Sequence, residues 1–301
     1  MSLNEPHRQG ISGELTREDF EFFRRFIHNR TGIALSKDKK YLLEGKLRQH
    51  LPRWGFETFG AFRKHIACHP EDQTALVNLG NAVTVNKTDF FRDPGQYRFL
   101  NEQVIPEILA DGSGRRLSVK LWSAGCATGK EPYSLSMTLE EFTGGDAPLN
   151  YSILATDLST KALEKAELGI YPATRATGIP EQLKKRYLLR GKDPLANRVR
   201  IAPALRERVE FRRLNFMEQS YPVARDMDVI FFRNVLIYFD RATRVRVLRR
   251  LIGHLRPGGY LFLGSSENLS GLDLPLTQSA PNIYRKKALT RSPAVTSLSL
   301  Q

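Results

Sequence analysis

In the first hundred residues apolar side chains recur every three or four positions, the period of a helix with one face turned inward. Phe20, Phe23 and Ile27 share such a face. Thr16 with Asp19 three residues on reads as its capped start, and Gly32 as its stop. A second helix is predicted over 37–51, with Leu43, Leu47 and Leu51 inward and Lys39, Lys40, Lys46 and Arg48 outward. Phe59, Phe62 and Ile66 predict a third helix, and Leu76, Leu79 and Val83 a fourth. This aromatic and aliphatic stripe reads as core rather than as a ligand box. Asp93-Pro94 resembles an N-cap followed by proline at the first helical position.

From about residue 117 the period changes. Leu117-Ser118-Val119-Lys120-Leu121-Trp122 is a strand candidate, followed by a small-residue loop and a helix over 131–142. Tyr151-Ser152-Ile153-Leu154-Ala155-Thr156 predicts the next strand and 161–168 the next helix. Asp228-Val229-Ile230-Phe231-Phe232 has the unbroken apolar run of a strand buried on both faces. An arginine-laced helix follows Asp240, with Gly258-Gly259 as its close. Tyr260-Leu261-Phe262-Leu263-Gly264 predicts a further strand, and 282–286 a last, antiparallel one. Such alternation of strand and helix predicts an open, mostly parallel α/β sheet.

One stretch interrupts the alternation. Residues 171–213 carry twelve basic and four acidic side chains, a local charge of +8. Within it Arg198-Val199-Arg200-Ile201 alternates as a half-exposed strand would, and Val209-Glu210-Phe211 is placed to pair with it. The expectation is a small β excursion with a basic face, at about 175–213. The full division expected is a helical domain over 1–90, a linker to about 100, an α/β domain over 101–290 and a flexible tail over 291–301.

Composition narrows the class. With 41% hydrophobic and 26% charged residues the chain has an ordinary globular make-up. No run of eighteen apolar residues occurs, and the first twenty residues are polar and mixed in charge, so no membrane insertion and no secretory signal are expected. Cys68 and Cys126 lack C-x-x-C spacing, which supports neither a disulfide framework nor a zinc site and fits a cytoplasmic protein. The excess of 46 Lys and Arg over 32 Asp and Glu, a net +14, favours an acidic partner, be it nucleic acid, an anionic membrane surface or a protein. Charge alone does not choose among them.

The chemistry gathers at strand ends. The loop Ser123-Ala124-Gly125-Cys126-Ala127-Thr128-Gly129 follows the first strand, where small residues let a nucleotide-like ligand approach the backbone. It has neither G-x-G-x-x-G nor phosphate-loop spacing, which counts against a dinucleotide or a triphosphate. Asp157 ends the second strand, where a carboxylate accepts two hydrogen bonds from a ribose diol or caps the following helix. Asn215 and Phe216 follow the presumed strand 209–214 and suit an adenine, one polar and one apolar. Asn234 ends the strand 228–232 where a cofactor's reactive part would sit, while Leu236 and Ile237 read as packing. Loop, strand-tip acid and strand-tip asparagine together describe a site for S-adenosylmethionine.

At this point the chain strongly resembles the CheR family, the glutamate methyltransferases of chemotaxis receptors. The first matching stretches are Val85-Asn86-Lys87-Thr88-Asp89-Phe90-Phe91-Arg92, the run from Trp122 to Ser134, and Ala155-Thr156-Asp157. The others are Phe232-Arg233-Asn234-Val235-Leu236-Ile237-Tyr238-Phe239-Asp240 and Gly264-Ser265-Ser266-Glu267-Asn268. The resemblance implies an all-α N-terminal domain and a Rossmann-like S-adenosylmethionine-dependent domain bearing a small antiparallel β subdomain. It implies that Asn86, Thr88 and Arg92 reach the cofactor from the linker, with Gly125 in the cofactor loop. Glu131 would lie near the aminocarboxypropyl arm, Asp157 on the ribose, Asn215 and Phe216 at the adenine, and Asn234 and Val235 beneath the sulfonium. The sequence departs from the family pattern at Lys130, where an acid is commoner, and at Lys87 and Asp89; all three side chains are expected to be peripheral.

The implied reaction forms glutamate methyl esters and S-adenosylhomocysteine on receptors, for sensory adaptation. A glutamate is already ionised near neutral pH, its reference pKa being about 4.3, so no general base and no metal are expected. Arg92 is expected to steer the incoming carboxylate and Tyr238 to line the transfer site. The partner implied is the cytoplasmic helical region of chemoreceptors, docked on the helix with Lys39, Lys40, Lys46 and Arg48. The β excursion suits strand addition to a receptor C-terminal tail peptide. A monomer suffices. Two other classes compete: a nucleic-acid methyltransferase, which lacks support because the Asn/Asp-Pro-Pro-Tyr/Phe pattern is missing, and a non-catalytic regulator that only binds cofactor or receptor.

Overall fold

The computed structural model describes residues 11–110, 118–142, 149–191 and 197–287. Position 117 and the tail lie outside them.

The N-terminal helices are α1 (Arg17–Thr31), α2 (Lys40–His50), α3 (Phe59–Cys68) and α4 (Gln73–Val83). Thr16 caps α1 by accepting from the Asp19 amide, and Gly32 ends it with a positive φ of 74°. The predicted second helix is divided: a 3-10 turn over Lys37–Lys39, then α2, then a second turn over Leu51–Trp54. Its inward leucines are buried with Phe20, Phe23, Ile27, Phe59 and Phe62 in one core. Its basic face is smaller than expected. Lys46 Nζ donates to the Val83 carbonyl, and Arg48 donates to the carbonyls of Ile11 and Gly13, so both hold the domain together.

Next come α5 (Pro94–Phe99) and, after a π-helical turn, α6 (Ile105–Ala110). Asp93 stands at the N-cap of α5 with φ 56°, but its side chain does not cap the helix. Its carboxylate is drawn away to Arg233, 2.6 Å from Nη2, because an ion pair with a buried guanidinium outweighs a cap hydrogen bond.

The α/β part runs β1 (Val119–Ala124), α7 (Lys130–Glu140), β2 (Tyr151–Asp157), α8 (Thr160–Leu168), β3 (Ile170–Pro172), α9 (Glu181–Tyr187), β4 (Leu188–Arg190) and β5 (Arg198–Ile201). It continues with α10 (Pro203–Arg206), β6 (Val209–Arg213), β7 (Met227–Phe232), α11 (Arg241–His254), β8 (Leu255–Leu263), β9 (Leu276–Ala280) and β10 (Ile283–Lys286). The main sheet has the order β6-β2-β1-β7-β8-β10-β9. The first five strands are parallel, and β10 is antiparallel to both β8 and β9. The direction of winding reverses at β1, which puts the crevice of a doubly wound sheet at the carboxyl ends of β1, β2 and β7.

Three expectations change. The segment 209–211 does not pair with 198–201; as β6 it joins the main sheet beside β2, in register Ile153 to Val209 through Asp157 to Arg213. The small sheet is instead β3-β5-β4, so the excursion begins near residue 170 and ends before 209. Gly258-Gly259 does not close a helix, because α11 stops at His254 and both glycines lie inside β8, beside its register shift against β7.

Candidate functional site

One cavity of about 260 Å³ opens at the carboxyl end of the sheet, and every candidate cofactor residue lines it: Asn86, Thr88, Arg92, Gly125, Glu131, Asp157, Asn215, Phe216, Asn234 and Val235. Tyr238 lines it too. The strand ends bring most of these residues together from positions far apart in the chain, and the segment 84–93, with Thr31 and Ile33 of the N-terminal domain, adds further wall.

Gly125 makes the floor. Its φ is 84°, and a Cβ there would stand 2.5 Å from Val235 Cγ2, so a side chain is excluded twice over. The amides of Gly125 and Cys126 both donate to the Thr156 carbonyl, at 2.7 and 2.9 Å, which ties the loop to the tip of β2. Asp157 completes this tie. Its Oδ2 accepts from the Ala127 amide and its Oδ1 from the Ser159 amide, each at 2.8 Å. Ser159, and not Asp157, is the cap of α8. Each carboxylate oxygen keeps a second lone pair for another donor. Burial pushes the Asp157 carboxyl above its ordinary range while the backbone donors pull it back.

Glu131 is the second residue of α7, in its first turn. Its Oε1 accepts from Ser123 Oγ at 2.8 Å and its Oε2 from Arg233 Nη1 at 3.3 Å. Burial raises its carboxyl, and Arg233 is the chief opposing charge. Asn215 is largely committed to structure: its Nδ2 donates to the Arg30 carbonyl at 2.6 Å and its Oδ1 accepts from the Met217 amide. Phe216 beside it is buried against Phe232 and Tyr221, edge to face. Asn86 is likewise engaged, its amide donating to Ser159 Oγ at 3.3 Å.

Asn234, two residues past the end of β7, has φ 59°, a conformation asparagine tolerates better than most residues. Its backbone amide donates to Glu267 Oε2 at 2.8 Å, and the Gly264 amide donates to the same oxygen. Glu267 thus fixes the turn from beneath.

Arg92 and Tyr238 stand at the cavity wall with free polar ends. Among the described residues the Arg92 guanidinium has no ion pair and the Tyr238 hydroxyl no hydrogen bond. Burial raises the Tyr238 hydroxyl, and the nearby Arg92 charge works against the shift. The loop carrying Tyr238 is held by the helical domain: the Ala34 amide donates to the Tyr238 carbonyl at 2.8 Å, and His28 Nε2 lies 2.6 Å from Asp240. Ile237 does not pack inward as expected; it is 48% exposed on the cavity rim.

Two cations differ from expectation: Arg233 is absent from the expected site residues, and Lys130 is expected to be peripheral. Arg233 has a side chain only 1% exposed and meets Glu131, Asp93, the Arg92 carbonyl and Tyr97. The signal was present: an arginine directly after a buried apolar strand needs partners, since a buried charge is costly alone. Lys130 is not peripheral, being 6% exposed with its Nζ on the Thr88 carbonyl at 2.8 Å. Asp89 lies 3.5 Å from that Nζ.

The all-alpha domain of CheR methyltransferases matches residues 18–79, and their SAM-binding domain matches residues 86–283. Chemotaxis protein methyltransferase 2 of Pseudomonas aeruginosa is 39% identical over 258 residues, covering 84% of this chain and 87% of the relative. Chemotaxis protein methyltransferase 1 of the same organism is 38% identical over 278 residues, covering 89% and 98%. The Escherichia coli chemotaxis protein methyltransferase is 35% identical over 273 residues, covering 90% and 91%. With both domains matched and these identities spread over most of its length, the chain belongs to the CheR methyltransferase family.

Proposed function

We propose that the protein methylates glutamate side chains in the cytoplasmic helical region of chemotaxis receptors, using S-adenosylmethionine, and so serves sensory adaptation. The observation that carries the reading is the convergence of Gly125, Asp157, Asn234, Arg92 and Tyr238 on one cavity at the switch point of the sheet. The names of the relatives support the chemotaxis setting.

The residues present fit the cofactor. Gly125 leaves a cradle that a Cβ would fill, and Asp157 keeps acceptor capacity for a ribose diol. Phe216 and Val235 give apolar surface for the adenine and the sulfonium side. Asn86 and Thr88 line the cavity from the segment 84–93, Glu131 would lie near the aminocarboxypropyl arm, and Asn215 serves mainly by anchoring its loop. Bound there, S-adenosylmethionine supplies a methyl group on a good leaving group.

The chain's own task is alignment. The receptor glutamate arrives ionised, its reference pKa being about 4.3, so no side chain need take a proton from it. The unpaired Arg92 guanidinium attracts that carboxylate and holds it by directed N–H donors. Tyr238 closes the wall beside it and keeps water out, and orientation of this kind is a major part of the rate. Lys39 and Lys40, next to the exposed Tyr41 and Leu42 on α2, offer the docking face for an acidic receptor helix, without Lys46 and Arg48. The small sheet β3-β5-β4 offers an edge to a receptor tail peptide.

The experiment incubates the protein with radiolabelled S-adenosylmethionine and either receptor membranes or RNA. Base-labile label on receptor is the expected result. Label on RNA, or none on either, refutes the reading.

A further inference from the structure

Residues 84–93, between α4 and α5, form no helix or strand, yet they supply Asn86, Thr88 and Arg92 to the cavity. Irregular chain keeps one shape only where contacts outweigh its conformational entropy. Here two buried cations grip it. At one end Arg233 Nη2 donates to the Arg92 carbonyl and to the Asp93 carboxylate, both at 2.6 Å. Nearer the middle Lys130, the first residue of α7, donates from Nζ to the Thr88 carbonyl at 2.8 Å. The same ammonium stands 3.5 Å from Asp89 Oδ1 and 5.8 Å from the centre of the Phe90 ring. Between the grips Phe90 meets Tyr171 edge to face, and the Phe91 amide donates to Ser134 Oγ at 3.0 Å. Phe91 and Asp93 hold φ of 51° and 56°, a region that L residues avoid and keep only when their surroundings fix it.

Packing alone does not account for a lysine at this place. A methionine would fill the space without bringing a charge out of water, and burial already pulls the Lys130 ammonium below its ordinary value, with Asp89 opposing the shift. The ammonium therefore stands where it does for what it holds. We propose that Lys130 is a positioning residue: it fixes residues 88–92 through the Thr88 carbonyl, with Asp89 as counter-charge, and thereby aims Arg92 into the cavity. It acts through the segment and touches no reacting group. Since the Arg92 guanidinium has no ion pair of its own among the described residues, its backbone anchors decide where that charge stands. A misplacement of about 1 Å in such a group lowers a rate by as much as about 100-fold.

The kinetic consequence rests on the methyltransferase reading; the structural one does not. Lys130→Met, Lys130→Arg and Asp89→Lys are made in the full chain. Hydrogen exchange of residues 84–93 is then followed without ligand, and kcat/KM is measured with receptor membranes. Lys130→Met is expected to speed exchange of amides in 88–93 about 10-fold or more, because the segment opens locally more often. Its kcat/KM is expected to fall between about 10- and 100-fold with an unchanged melting midpoint, and Lys130→Arg to stay near wild type on both readouts. Wild-type protection of 88–93 in Lys130→Met overturns the proposal, and so does full kcat/KM on a loosened segment. If Lys130→Met does not fold, Asp89→Lys decides, its change being at an exposed side chain: faster exchange in 88–93 supports the proposal and unchanged exchange overturns it. A wild-type enzyme that methylates no receptor would refute the proposed function, while the exchange comparison still settles whether Lys130 pins the segment.

Discussion

Replacing Arg233 by methionine should destabilise the protein more than any change at the rim of the cavity. The guanidinium lies 3.3 Å from Glu131 Oε2 and 2.6 Å from Asp93 Oδ2, and it also donates to the Arg92 carbonyl and to the Tyr97 hydroxyl. Methionine fills the space but leaves two carboxylates without their cation. Removing one partner of a buried pair costs about 3–5 kcal/mol. Because the Asp93 side chain is 30% exposed and partly solvated, the lower end, about 3 kcal/mol, is expected.

The loss should depend on pH in a definite sense. Burial already raises the Glu131 carboxyl, and Arg233 is the largest influence holding it down, so its removal raises that carboxyl further. A carboxyl whose folded value exceeds its unfolded one binds more protons when folded, so its contribution to stability falls as pH rises between the two. The variant's deficit relative to wild type should therefore be larger near about pH 8 than near about pH 5. Urea unfolding at both pH values, followed by the fluorescence of the buried Trp122, measures this. A loss below about 1 kcal/mol at the higher pH, or an equal loss at both, would refute the reasoning.

Other outcomes are as definite. Arg92→Ala should lower kcat/KM by about 100-fold or more while leaving the melting midpoint unchanged, since the side chain is exposed and unpaired. Gly125→Ala should weaken S-adenosylhomocysteine binding by at least about 10-fold in calorimetry, its Cβ having no room beside Val235. Asp157→Asn presents an N–H to one of two backbone donors; a loss of about 1–3 kcal/mol in urea unfolding together with weaker nucleoside binding is expected. Glu267→Ala strips two backbone amides of their acceptor and should lower stability by about 2–3 kcal/mol.

The α/β domain was legible where periodicity is strong. The apolar run 228–232 became β7, and the small-residue loop after β1 became the cavity floor, because both follow from local pattern. Every residue expected at the cofactor lines that cavity. What the sequence could not show was how those side chains are spent. Asn215 and Asn86 are polar and near the site, but their amides satisfy Arg30 and Ser159, partners 185 and 73 positions away. The absence of Arg233 from the expected site and the peripheral place expected for Lys130 have a related cause. A cation is assumed to face water until its acceptors are known, and the acceptors here include backbone carbonyls of an irregular segment that carry no sequence signature. The same limit applies to β6, since short alternating segments such as 198–201 and 209–213 do not reveal which neighbour they pair with.

The most direct measurement of the central claim is methyl transfer itself. Purified protein, radiolabelled S-adenosylmethionine and membranes bearing chemotaxis receptors should give label on receptor glutamates that mild base releases as methanol. Label that resists base, label on another macromolecule, or a receptor left unlabelled would contradict the account.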